Sequence, residues 1–122
     1  MSHRMRQPDK KLSQRLLGSV PYSDRLPAGR LLPSLGIIPG DVRSLRELHL
    51  VLTPDVRSLP GVDLTALADW VGRVMGDRTL AHGIRTITRE SRSYVEGCMK
   101  VYDLVGYRLD QAREVAGQEV LT

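Results

Sequence analysis

The sequence predicts an all-α fold: a small helical bundle or helical hairpin with a long C-terminal helix, preceded by a proline-rich, partly extended N-terminal half. Two observations carry this reading. Leu80, Ile84, Ile87, Ser91, Tyr94, Cys98, Val101 and Val105 recur at alternating steps of four and three, the seam of a helix that packs along its length. All seven prolines lie at or before residue 60, so helix-breaking chemistry is confined to the front of the chain.

Taken in order, residues 1–11 form a basic arm without an apolar period and are expected to be flexible. Asp9 then caps a short helix in which Leu12, Leu16 and Leu17 share a face, and Gly18 ends it. Residues 20–40 carry Pro21, Pro27, Pro33 and Pro39 with Gly29, Gly36 and Gly40, which interrupt regular structure repeatedly. Leu26, Leu31, Leu32, Leu35, Ile37 and Ile38 make the same segment too apolar for a solvated linker. An extended strip laid over the helical body or a partner is the expectation.

Asp41 is the expected N-cap of the next element, with Val42, Leu45, Leu48 and Leu52 on one helical face. Alternation across residues 48–52 also permits a short strand, but helix is favoured, and Pro54 closes either. Residues 55–61 form a turn-rich joint, and Asp63 caps a stronger helix with Leu64, Leu67, Ala68, Val71 and Met75 as its stripe. Gly76-Asp77 supplies a stop and a fresh cap, so residues 63–116 form a helical body.

The final stretch tests itself by length. About forty residues of unbroken helix would run roughly 60 Å, whereas a compact domain of this size has a radius of gyration of about 14 Å. The helix must therefore break or outgrow the chain. Candidate breaks are residues 90–93, rich in hydroxyl side chains, and Gly83, Gly97 and Gly106. The seam also slips at Arg108, with the apolar series resuming at Leu109, Ala112 and Ala116, which ends a strict coiled coil.

A length of 122 residues suits one domain. The chain contains no Phe, so its core must be aliphatic. Apolar runs are far shorter than the roughly 20 residues of a membrane span, no secretory signal is apparent, and a lone Cys98 fits a reducing compartment. A cytoplasmic location is expected. Residues 1–30 hold seven Lys or Arg against two acids, a net +5, while the remainder is close to neutral at −1.

Sites of chemistry are sparse. His3, His49 and His82 have no zinc or di-iron spacing, no phosphate loop is present, and the acids are scattered, so no catalytic residue, metal or cofactor is expected. Binding remains. The leading reading is a non-enzymatic accessory or adaptor protein, a homo-oligomer or small subunit of a larger complex, with Leu80, Ile84, Ile87, Tyr94, Cys98, Val101 and Val105 as partner or oligomer interface. Second is a nucleic-acid-binding protein using Arg4, Arg6, Lys10, Lys11 and Arg15 on phosphates. Arg73, Arg85, Arg89 and Arg92 are expected to be balanced by nearby acids. Third is a small enzyme or enzyme subunit with a site near His82 and Cys98.

Overall fold

The computed structural model describes residues 5–120 and corrects the all-α expectation. Among the described residues five α-helices occur with two small antiparallel sheets, and the fold is mixed α/β. The physical reason lies in the proline-interrupted segment. It is too apolar to leave the body and too broken to form helix, so its buried backbone groups must pair with other extended backbone.

Strand β1 (Leu26–Pro27) pairs with β4 (Asp41–Val42). Strand β2 (Gly29–Leu32) is the centre of a three-stranded sheet, with β3 (Gly36–Ile38) on one side and β5 (Leu59–Gly61) on the other. A Cβ on Gly29 would overlap the Ile38 carbonyl oxygen and crowd the Gly40 nitrogen at 3.1 Å, so this crossing of two backbones requires glycine. Arg30 projects from β2 and ties the sheet to the body. Its guanidinium donates to the carbonyls of Val51 and Ser58 and to Ser58 Oγ, the last at 2.7 Å from Nη2.

The helices follow their caps. Asp9 accepts the Leu12 N–H at 2.8 Å and starts α1 (Lys10–Leu17). Helix α2 (Leu45–Val51) starts later than expected: Ser44 is its cap, accepting the Glu47 N–H at 3.1 Å, while Glu47 reaches back to the Arg43 N–H at 2.6 Å. This Ser-x-x-Glu capping pair displaces Asp41, which enters β4. Asp63 caps α3 (Leu64–Arg73), Gly76 turns the chain at φ +76°, and Asp77 caps α4 (Arg78–Glu90).

The long period divides at 91–93, and α5 (Tyr94–Val120) follows. Ser91 donates both its N–H and its hydroxyl to the Ile87 carbonyl, closing α4, and Ser93 with Glu96 forms a second capping pair for α5. Gly83, Gly97 and Gly106 lie within helices. At 27 residues α5 spans roughly 40 Å and carries α1, α2 and α4 against it.

The core is mostly aliphatic, with Leu16, Leu48, Leu67, Leu80, Ile84, Val101, Val105 and Leu109 buried, and Trp70 is its one buried aromatic member among the described residues. Arg108, where the seam slips, is itself buried, at 2 % exposure. Its Nε donates to Asp77 Oδ2 at 2.7 Å and its Nη2 to Asp77 Oδ1 at 3.1 Å, a two-pronged pair that matches the guanidinium fork. Asp77 therefore holds α4 by its cap and α5 by its charge.

Candidate interaction surfaces

The residues expected at an interface are divided by the fold. Leu80, Ile84, Cys98, Val101 and Val105 are buried within the chain's own core, and Ile87 packs against it half-buried. Tyr94 reaches the surface at 38 % exposure. Its hydroxyl accepts the Val62 N–H at 3.0 Å and donates to the Pro60 carbonyl, fastening the start of α5 to β5. Burial pushes the phenol up to about 12, so the hydroxyl keeps its proton as a donor over a wide pH range.

Near Tyr94 the exposed apolar side chains include Ile37, Val95 and Met99. Pro60 lines two hollows and joins them. One, of about 250 Å³, is walled by Leu52, Val56, Leu59, Val95, Cys98 and Met99. The other, of about 470 Å³, is walled by Leu31, Ile37, Pro39, Val62 and Tyr94. Leu35 at 76 % and Ile37 at 66 % exposure stand on the β2–β3 hairpin, whose β3 is an edge strand exposed along its whole length. An apolar edge with unpaired backbone is a template for another chain. The sequence signalled these residues by placing isoleucine and leucine among prolines, but which of them faced outward depended on the sheet.

Of the residues expected in the basic arm, Arg4 lies outside the described residues, as does His3. Arg108 Nη1 donates to the Arg6 carbonyl at 2.7 Å and Gln111 Nε2 to the Met5 carbonyl at 2.9 Å, seating the chain before α1 on α5. The side chains of Arg6, Lys10, Lys11 and Arg15 remain on the exposed side of this segment. Arg25 pairs with Asp41 at 3.5 Å and Arg30 is taken up by Ser58 and carbonyls, so part of the N-terminal charge excess is structural.

The third reading required His82 and Cys98 to meet. His82 is exposed on α4, whereas Cys98 is buried on α5 with its thiol pushed up by burial, and no hydrogen bond joins them among the described residues. His49 is the imidazole with a defined setting: it stacks on Tyr102 at 4.3 Å with an interplanar angle of 6°. Burial, followed by the Arg113 charge, lowers its pKa. No group of three or more His, Cys, Asp or Glu able to hold a metal occurs among the described residues, and no described helix is long and apolar enough to cross a membrane. Compared with known proteins, the chain matches no family model, no curated protein and no solved structure.

Proposed function

We propose that this chain is a non-enzymatic interaction module, acting in a homo-oligomer or as a small subunit of a larger complex in the cytoplasm. The observation that carries this reading is a pair of apolar hollows that share the buried Pro60 as a wall, with exposed Ile37 beside one and exposed Met99 beside the other. Surface of this kind drives association because its burial removes apolar area from water, at roughly 25 cal/mol per Å² before the costs of association. The partner that fits is an apolar segment laid over the sheet from the β3 edge toward Met99, with side chains in the two hollows that share Pro60. Because β3 has three residues and is bracketed by Pro33 and Pro39, ladder bonds are few and the hollows must supply most of the affinity.

The test is solution mass across a concentration series, for the intact chain and for Ile37→Asp and Met99→Asp. Association by the intact chain, with itself or a defined co-purified subunit, is expected to weaken at least tenfold in both variants with the melting temperature retained. A monomer that holds no partner, or a complex indifferent to both changes, overturns the reading.

A further inference from the structure

The geometry points to the outer face of α4 as a contact surface for the phosphate backbone of a nucleic-acid duplex, on a different side chain set from the apolar surface above. Arg78, His82, Arg85 and Arg89 follow one another at steps of four, three and four, and all are exposed. They form one stripe of a straight helix, about 16 Å long from first to last. Arg85 is paired with Asp69 at 2.9 Å; Arg78 and Arg89 have no carboxylate within ion-pair distance among the described residues. The expected balance by nearby acids thus holds for Arg85 and not for its neighbours.

Two further arginines extend the stripe. Helices α3 and α4 cross closely where a Cβ on Gly72 would stand 3.3 Å from Ala81 Cβ, and this crossing is the floor of a cleft of about 510 Å³ walled by Arg73, Arg78 and Arg85. Arg15 of α1 lies over Gly76 in the turn between Arg73 and Arg78, where a Cβ on Gly76 would overlap its guanidinium. Arg73 and Arg15 also have no ion pair among the described residues. Five guanidinium groups therefore line one face with Asp69 as the carboxylate paired to it, and Glu90 stands beyond Arg89 at the helix end.

The shape of this charge selects the ligand. The apolar face of α4 is already buried through Leu80, Ala81 and Ile84, so the helix has nothing to insert into a lipid surface. The stripe carries no Phe, Tyr or Trp on which unpaired bases could stack, which disfavours single strands. A row of exposed guanidinium groups along one helix can meet successive phosphates of a duplex and offers little to read base edges, so binding would be insensitive to sequence.

The experiment is a salt titration of the full chain with 20-base-pair duplex DNA, duplex RNA, the corresponding single strands, and vesicles of phosphatidylserine and phosphatidylcholine. Binding to either duplex that exceeds binding to single strands and vesicles is expected, with no dependence on base sequence. The Arg78→Gln/Arg85→Gln/Arg89→Gln variant should keep its melting temperature to within a few degrees. On duplex DNA it should lose at least 100-fold in affinity near 50 mM salt and flatten the log–log salt slope by up to about 2.7, taking roughly 0.9 per lost contact. A Lys10→Gln/Lys11→Gln variant should change affinity less. No duplex binding by the intact chain at 50 mM salt, tighter binding to single strands or vesicles, or unchanged affinity in the triple variant overturns the proposal.

Discussion

The β2–β3 hairpin and the helices from α3 onward contain similar kinds of aliphatic residues and use them in opposite ways. In the helices, Leu67, Leu80, Ile84, Val101 and Leu109 are buried; on the β2–β3 hairpin, Leu35, Ile37 and Ile38 face outward. The helical part is held by side chains packed across interfaces, whereas the hairpin is held by backbone: short ladders, the Gly29 crossing and Arg30 bound to carbonyls. Apolar content alone therefore does not indicate core. What decides is whether the local backbone can present its side chains on one face.

The largest expected effect tests whether the helical part depends on apolar packing alone. Arg108→Met should destabilise by about 3–5 kcal/mol, because it strands the Asp77 carboxylate in a buried place. Arg108→Met combined with Asp77→Leu should recover part of that loss in urea unfolding. A neutral single variant would remove the ion pair from the account of this region.

The next effect sets the two regions side by side. Ile84→Ala, in the core, should cost about 2–5 kcal/mol, while Ile37→Ala should fall within roughly 0.5 kcal/mol of the parent. Equal losses would show that the hairpin is covered in solution, by another copy or a partner. A third measurement sharpens the backbone side of the contrast. Gly29→Ala should destabilise by about 1–3 kcal/mol, since neither the Ile38 carbonyl nor Gly40 can move without breaking the sheet. Guanidinium unfolding read by near-ultraviolet signals would check it.

Much of the helical part was legible from residue pattern. Asp9, Asp63 and Asp77 announced three caps, and the serine-rich residues 90–93 were among the candidate breaks, because caps and breaks are local chemistry. The sheets were not legible. Gly-Arg-Leu-Leu in β2 lacks strict alternation, and its pairing to residues 59–61 is a long-range event with no local signature. Arg108 read as a slip in the seam because a period counts an arginine as polar, without seeing that Asp77 waits opposite it. The outward-facing surface is harder still: the apolar hairpin depends on the sheet, while the α4 stripe is present in the spacing of Arg78, His82, Arg85 and Arg89, although spacing does not show which of these arginines lack an acidic partner.

The smallest expected effect concerns pH. The folded state holds the His49 pKa below its ordinary 6.5, so as pH falls the unfolded chain takes up this proton first. Stability should decline as pH drops through about 6.5 and level off below the folded pKa. His49→Phe keeps a ring against Tyr102 and should flatten thermal stability across that window. A profile unchanged by the substitution would assign the pH dependence elsewhere.

The bonds from Arg108 and Gln111 to the carbonyls of Arg6 and Met5 close a separation of more than 100 residues along the chain. During synthesis, at roughly 5–20 residues per second, the earliest segment must wait about 5–20 s for α5 to emerge before it can be seated. Until then α1 has lost its chief support, because α5 is what it packs against. The fold is thus completed from its far end, and a chain interrupted before Arg108 would leave its beginning as well as its end without a place.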